Sequence, residues 1–152
     1  MVILFKEMYI NKSTIKKIYL ILNKLKYEDS SKGTYTVNGF QTPNIVKHFN
    51  KKLLKEILPI EDFYKKVFHL HYIKYKEYGF QRTHNHKKFE KYSFILYLNN
   101  SDGDTIFGEP INRRIMPEFG KLIFFDSSIL HQAEMSCKGK EILVGGVDQN
   151  VL

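Results

Sequence analysis

The sequence predicts an α+β fold in which N-terminal helices support a sandwich or barrel of mainly antiparallel β-strands. In the first third of the chain, apolar residues recur at helical spacing. From about residue 65, short apolar runs alternate with turns rich in Gly, Asn, Asp and Pro. Strands that follow one another without intervening helices favour antiparallel pairing. We therefore expect helical support over about residues 1–64 and a β-core over about 65–148, within a single domain spanning 1–152.

Two helices are predicted in the N-terminal part. Ser13 is placed to cap a helix whose apolar positions lie within residues 15–25. Asn44 is placed to cap a second helix with apolar positions within residues 45–57, and Pro59 ends it. Together the two helices would form a layer against one face of the β-structure.

The strands are predicted from β-branched and aromatic runs bounded by turn residues. A short strand at residues 35–37 precedes Asn38-Gly39, a dipeptide typical of tight turns. Residues 67–75 and 92–98 form the two longest strand-like runs. Further strands are predicted at 104–107, 113–116, 121–125 and 141–147.

Composition limits the classes of protein that the chain can represent. Its 24 Lys and Arg against 16 Asp and Glu give a net charge of +8, which fits a solvated surface or a surface that attracts an anionic partner such as nucleic acid. Cys137 is the single cysteine, so neither an intrachain disulfide nor a Cys-based zinc motif is expected. The longest apolar runs, such as residues 1–5, are too short for a membrane span or a secretory signal. We expect a cytoplasmic protein, and the bias towards Lys, Ile, Asn and Tyr fits an AT-rich viral, phage or bacterial genome.

Three of the six histidines are candidate metal ligands. His84 and His86 flank one residue, and in extended backbone two residues at that spacing point the same way. Imidazole is a good ligand for iron, zinc, copper and nickel. His131 is the best candidate for a third ligand, because a polar turn after the strand at 121–125 can return it to the same rim.

The other histidines have simpler interpretations. His69 and His71 have the same spacing as the first pair, but they lie in a strongly apolar strand, where packing on one face of the sheet is the favoured interpretation. His48 lies on the polar side of a predicted helix and is interpreted as solvated.

The order of several motifs resembles that of the prolyl-4-hydroxylase-like iron(II)/2-oxoglutarate dioxygenases. That family carries a glycine and an aromatic residue before a His-x-Asp pair, then a "YLN…GG-T-F" strand and turn. A "P-x-x-G…F" strand leads on to a distal histidine, and a Lys or Arg follows about nine residues later. The matching segments are 79–86 (GFQRTHNH), 92–99 (YSFILYLN), 102–107 (DGDTIF), 117–125 (PEFGKLIFF) and 131–140, which runs from His131 to Lys140.

The resemblance implies a double-stranded β-helix, or jelly roll, and a hydroxylase. Its cofactors would be Fe(II) and 2-oxoglutarate, with ascorbate as an accessory reductant, and dioxygen would be the oxidant. His84, His86 and His131 would bind the metal. A peptidyl or small-molecule substrate would be hydroxylated with release of succinate and CO2. The segments 76–82 and 27–43 are the expected lid and substrate wall.

The resemblance also assigns the 2-oxoglutarate site. Lys140 would bind the far carboxylate, as the Lys or Arg does in the family. Tyr97 and Tyr75 are candidates to donate hydroxyl hydrogen bonds to the co-substrate, and Thr105 and Arg82 are weaker candidates near the mouth.

One position departs from the family pattern. The second ligand is normally an aspartate, and His86 stands in its place. A three-histidine site makes the metal complex one unit more positive. Asp104, Asp126 or water could supply the missing oxygen ligand.

Two alternatives remain open at the level of sequence. A three-histidine cupin-type metalloenzyme that does not use 2-oxoglutarate, or an isomerase on a similar barrel, would explain His86 but leave Lys140 as coincidence. A non-catalytic jelly-roll binding module, for nucleic acid among other partners, would explain the altered ligand and the positive charge.

Overall fold

A computed structural model describes residues 3–25, 28–29 and 35–150. Two α-helices, α1 (Lys12–Leu22) and α2 (Lys51–Ile57), occur in this part of the chain. Short 3₁₀ helices cover Val46–His48 and Phe63–Lys66. The strands are β1 (Phe5–Tyr9), β2 (Glu28–Asp29), β3 (Thr36–Gln41), β4 (Val67–His84), β5 (Glu90–Tyr97), β6 (Thr105–Phe107), β7 (Arg113–Ile115), β8 (Lys121–Asp126), β9 (His131–Ser136) and β10 (Glu141–Gln149).

All ten strands belong to one curled antiparallel sheet. Its order is β1-β8-β5-β10-β4-β9-β6-β7, and β3 joins the side of β4 and carries β2. The long strand β4 links the two halves, because its first part pairs with β10 and its last part with β9. Register shifts around Gly79 and Gln81 mark the bend between these parts. The prediction of an α+β jelly roll of antiparallel strands is confirmed.

The central strands are buried on both faces. In β5, Phe94 and Leu96 point towards the helices, whereas Ile95 and Tyr97 point to the opposite side, which we call the inner face. Residues of α1 and α2 complete the helix-facing core. The inner face is closed by side chains of β6 and β7, among them Phe107. Because both faces are covered, these strands are apolar along nearly their whole length.

The helices begin at other residues than predicted. The N-cap of α1 is Asn11, so the prediction that Ser13 caps this helix is wrong. The second predicted helix is divided: a 3₁₀ turn is followed by α2, whose N-cap Asn50 accepts a hydrogen bond from the Leu53 amide at 2.8 Å. Asn44 instead accepts from the amides of Val46 and Leu70, so that its side chain joins the turn to β4.

Several strands differ from the predictions. β1 and β9 were not predicted, whereas the predicted short strand at residues 35–37 overlaps β3, which continues to Gln41. Asn38-Gly39 does not form a turn, because β3 continues through it with a register shift beside β4. The predicted lid at residues 76–82 lies within β4. Of the described helices, none is long and apolar enough to cross a membrane. The single domain over 1–152 stays a prediction.

Candidate metal centre

Three histidines converge where β4 ends and β9 begins. His84 is the last residue of β4, His131 is the first of β9, and the two are paired in register. His86 follows two residues later. One ligand atom from each imidazole lies within 4.8 Å of the others. The ring centroids of His84 and His131 are 4.3 Å apart, and those of His84 and His86 are 4.8 Å apart.

Backbone carbonyls orient two of these imidazoles. His84 Nδ1 lies 2.6 Å from the Arg82 carbonyl oxygen, and His131 Nδ1 lies 3.1 Å from that of Ile129. A carbonyl oxygen only accepts, so each Nδ1 carries the proton and each Nε2 keeps a free lone pair. Metal-binding histidines commonly donate their second ring nitrogen to a carbonyl or carboxylate in this way. The donor set therefore fits a metal such as iron.

Burial keeps the three imidazoles neutral. Burial, together with the smaller effect of the neighbouring imidazoles, lowers the pKa of His131 to about 3 and that of His86 to about 2. The pKa of His84 is lowered by burial as well. A metal ligand has to be the neutral form of imidazole, so no proton needs to be removed at neutral pH before a metal binds.

A cavity of about 360 Å³ lies over His84 and His86. Tyr35 forms part of its wall, and its ring stacks on the His84 imidazole at 4.1 Å. Thr36 and Gln41 of β3 also line the cavity. The predicted substrate wall at residues 27–43 thus contributes three described residues, while residues 27 and 30–34 lie outside the described part of the chain.

A second polar group, which was not predicted, shares this cavity. His69 and His71 lie on the inner face of β4 and line the cavity rather than pack in the core. His69 Nε2 is 2.7 Å from Glu90 Oε1, and the Ser93 hydroxyl donates to Glu90 Oε2 at 2.5 Å. A sequence signal for this group exists in the glycine pair 145–146 of β10. A side chain on Gly146 would collide with the His69 ring and the Glu90 carboxylate.

The residues predicted to bind 2-oxoglutarate form a cluster of their own. The buried Lys140 Nζ donates to the Gly103 carbonyl oxygen at 2.7 Å and lies 4.4 Å from the centre of the Tyr75 ring. The hydroxyls of Tyr97 and Thr105 are 2.5 Å apart. None of these four predicted residues lines the cavity over the histidines.

Strand register sets the separation between this cluster and the histidines. Phe107 pairs with His131, and Thr105 pairs with Ala133 two residues further along β9. Two residues of a strand span about 7 Å. This is comparable with the length of a five-carbon dicarboxylate. Phe107 and Phe125 pack beside His131, so the surroundings of this histidine are apolar.

Lys140 is a buried cation without a carboxylate partner in direct contact among the described residues. Burial, offset in part by the more distant Asp102 and Asp104, lowers its pKa to about 8. Burial also raises the pKa of Tyr75 and Tyr97, so both hydroxyls keep their protons. A buried ammonium group beside protonated hydroxyls suits an anionic ligand.

The two acidic residues considered as replacement ligands are not at the metal centre. Asp104 pairs with Arg114 at 3.4 Å. Asp126 accepts hydrogen bonds from the amide and hydroxyl of Ser128. Neither carboxylate belongs to the described group of convergent ligand atoms. The suggestion that one of them compensates directly for His86 is therefore wrong.

Comparison with known proteins identifies the fold. Neither a protein-family model nor a curated protein matches the sequence. Solved structures do match: a prolyl-4-hydroxylase from Pseudomonas putida has a TM-score of 0.71 and 12% identity, covering 97% of this chain and 93% of that one. A viral collagen prolyl hydroxylase from Paramecium bursaria Chlorella virus-1, in a 2-oxoglutarate complex, has a TM-score of 0.70 and 15% identity, covering 97% and 96%.

A prolyl hydroxylase from Trichoplax adhaerens, in complex with a hypoxia inducible factor peptide fragment, has a TM-score of 0.69 and 11% identity. The match covers 95% of this chain and 83% of that one. The chain therefore has the fold of the prolyl-4-hydroxylases and other iron(II)/2-oxoglutarate oxygenases, as the sequence motifs predicted. At these identities the likeness defines the fold, and the chemistry has to be argued from the residues of this chain.

Proposed function

We propose that the protein is an iron(II)- and 2-oxoglutarate-dependent dioxygenase that hydroxylates a peptidyl or small-molecule substrate. The observation that carries the proposal is the convergence of three neutral imidazoles at one end of a jelly roll, beneath an open cavity. Two of these imidazoles are held with a free lone pair.

His84, His86 and His131 would hold the metal on one side and leave its other positions open. When bound, iron(II) and 2-oxoglutarate activate dioxygen: one oxygen atom enters the substrate and the other enters succinate, with release of CO2. The protein contributes orientation and exclusion of water. Phe107 and Phe125 pack against His131 and keep its surroundings apolar.

Lys140 would bind the far carboxylate of 2-oxoglutarate. Its ammonium group has three N–H donors, and one already donates to the Gly103 carbonyl. The hydroxyl pair of Tyr97 and Thr105 and the hydroxyl of Tyr75 offer further hydrogen bonds. A bound carboxylate would stabilise the protonated form of Lys140, which burial disfavours. The viral structure with the same fold is a 2-oxoglutarate complex, which supports the choice of co-substrate.

A second candidate function is a three-histidine metalloenzyme that does not use 2-oxoglutarate. Two observations favour it: His86 replaces the usual carboxylate, and Lys140 already has a carbonyl and an aromatic ring as partners. The third candidate function is a non-catalytic binding module, which would need no metal.

The test is anaerobic loading with Fe(II) followed by 2-oxoglutarate. The proposal expects a metal-to-ligand charge-transfer band in the visible range and, after admission of oxygen, succinate. His131→Ala should abolish the band. Lys140→Met should weaken 2-oxoglutarate binding, whereas Lys138→Met, a matched change at an exposed neighbour, should not.

The outcomes separate the three functions. Metal binding without an effect of 2-oxoglutarate would favour the three-histidine enzyme. Absence of metal binding in calorimetry would contradict both enzymatic functions and leave the binding module. The peptide complex of the Trichoplax structure makes peptides a reasonable first set of substrates.

A further inference from the structure

The charge of the cavity differs from the charge of the protein as a whole. The chain has a net charge of +8. Among the described residues that line the cavity over the histidines, however, Glu90 is the one Asp, Glu, Lys or Arg. Although the protein is basic, the described lining of this cavity contains no lysine or arginine, and its one acidic residue is Glu90.

Glu90 has unused capacity to accept hydrogen bonds. It is 1% exposed, and its two known side-chain contacts are those with His69 and Ser93. A carboxylate offers about four acceptor positions. Two are therefore left over, in a setting where a buried charge gains most from a further charged partner.

The neighbouring histidines add acceptors rather than donors. If His69 donates from Nε2 to Glu90, its Nδ1 is an acceptor, and this buried atom has no hydrogen-bond partner among the described residues. His71 Nδ1 is 3.0 Å from the Thr42 carbonyl oxygen, which leaves its Nε2 as an acceptor too. A ligand that donates several hydrogen bonds would complement this wall.

Aromatic side chains surround the same space. Tyr35, Phe68 and Phe89 line the cavity, and the Phe68 ring meets the His69 ring edge-on at 4.8 Å. Aromatic faces attract organic cations, and they exclude water from an ion pair. Acceptors, one negative charge and aromatic walls together favour a cationic nitrogen group.

We propose that Glu90, supported by His69, binds a primary ammonium or guanidinium group of the substrate and so determines substrate class. This inference rests on the proposed function, because the cavity is assigned to the substrate by its position over the metal ligands. The same chemistry is present in lysyl or arginyl side chains of a peptide and in small alkyl amines.

The backbone ties Glu90 to the metal centre. The amides of Phe89 and Glu90 both donate to the His86 carbonyl oxygen, at 2.9 and 3.2 Å. Glu90 is therefore one tight turn away from a metal ligand. A substrate anchored at Glu90 would lie in the cavity that His84 and His86 also line. Gly146 makes room for this arrangement, since any larger residue there would displace Glu90 and His69.

The test compares cationic probes with neutral probes of the same shape. Acetyl-Gly-Lys-Gly-amide is paired with its norleucine analogue, the arginyl peptide with its citrulline analogue, and pentylamine with pentanol. Binding to the metal-free protein is measured by calorimetry, and succinate formation is measured with the iron-loaded enzyme. The peptide and amine arms separate the two sources of the cation.

Within the class that binds, peptide or small amine, each cationic probe should bind at least about tenfold more tightly than its neutral partner. Tenfold corresponds to the weakest hydrogen bonds that charged groups make in proteins. Glu90→Gln should remove this preference and leave binding of the neutral probe unchanged. Glu61→Gln, the same change at an exposed position outside the cavity, should leave the preference intact. The thermal midpoint of each variant is measured beside these affinities.

Equal binding of cationic and neutral probes to the unaltered protein would overturn the inference, as would no binding of any cationic probe. This comparison needs no variant, so it holds even if Glu90→Gln does not fold. Equal weakening of both probes in Glu90→Gln would assign Glu90 a purely structural role and also overturn it. Cation-selective binding without succinate would refute the dioxygenase and retain the cation site. Succinate formation without a preference for cationic probes would support the dioxygenase and refute the cation site.

Discussion

Acid should destabilise the metal-free protein through its buried histidines. Burial lowers the pKa of His131 from 6.5 to about 3. Between these values the unfolded chain binds a proton that the folded protein does not bind. The stability associated with neutral His131 is therefore fully present above about pH 6.5 and is lost as the pH falls towards 3.

The size of the effect follows from the same two pKa values. Each pH unit below the unfolded pKa costs about 1.4 kcal/mol per histidine. At pH 5.0 the loss for His131, which is 3% exposed, is about 2 kcal/mol. His84 and His86 act in the same direction. Because the three rings interact, the figure for His131 alone is the one to test.

The assay is urea unfolding with a metal chelator present, at pH 7.5 and pH 5.0. His131→Gln removes the titrating group and should reduce the acid-dependent loss by about 2 kcal/mol. His48→Gln, at an exposed position outside the cluster, should lose as much as the unaltered protein. If His131→Gln and the unaltered protein lose equal free energy, burial of this imidazole does not govern the acid response.

Three further changes test the packing. Asn50→Ala should lower the free energy of unfolding in urea by about 1 kcal/mol, because it removes the N-cap hydrogen bond of α2. Asn23→Ala, just beyond the end of α1, is the control variant. Leu143→Ala should lower the free energy of unfolding by about 2–5 kcal/mol, since Leu143 is fully buried on the helix-facing side of β10. A decrease below about 1 kcal/mol would contradict the packing described. Gly146→Ala should cost about 1–3 kcal/mol by overpacking and weaken binding of the lysyl probe, and unchanged values of both would contradict the close approach of His69 and Glu90.

The sequence predicts the central strands well because their signal is local. β5, β8 and β10 are apolar runs bounded by turn residues, and their bounds differ from the predictions by only a few residues. β1 carries no such signal. It is a short edge strand of mixed polarity, and its partner β8 lies far along the chain, with Phe5 opposite Phe125. Long-range pairing of this kind has no trace in local periodicity.

At Asn38-Gly39 the sequence predicts the local backbone conformation correctly but the wrong structural element. Asn38 has a φ of 57°, in the left-handed region that Asn-Gly favours. The chain nevertheless continues as β3, because Val37 and Gly39 both pair with β4, opposite Phe80 and Tyr75. The register shift between these pairs leaves the extra residues in β4, not in β3. A left-handed residue therefore occurs within a paired strand as well as in a hairpin turn, and only the pairing partners distinguish the two.

The residues of the candidate site also differ in how well the sequence predicts them. The convergence of His84, His86 and His131 could be predicted because the order of motifs along the chain is specific. The pair of His69 and Glu90 could not, since the two residues come from different strands and a histidine in an apolar strand is equally typical of packing. The glycine pair 145–146 signals a close approach to β10, but it does not identify the side chains that approach.

Glu90 also bears on the missing aspartate at position 86. Three imidazoles would bring no negative charge to a bound metal, but Glu90 places one carboxylate in the same cavity, held by His69 rather than by the three convergent histidines. With Glu90 ionised, iron(II), the 2-oxoglutarate dianion, protonated Lys140 and Glu90 would together be neutral. Glu90→Gln would leave this group one unit positive and weaken Fe(II) binding, measured by competition with a chelator. Adding His86→Asp would restore neutrality, so the double variant should recover Fe(II) affinity without recovering preference for cationic probes. If it recovers neither, the carboxylate at position 90 does not serve in place of the missing ligand charge.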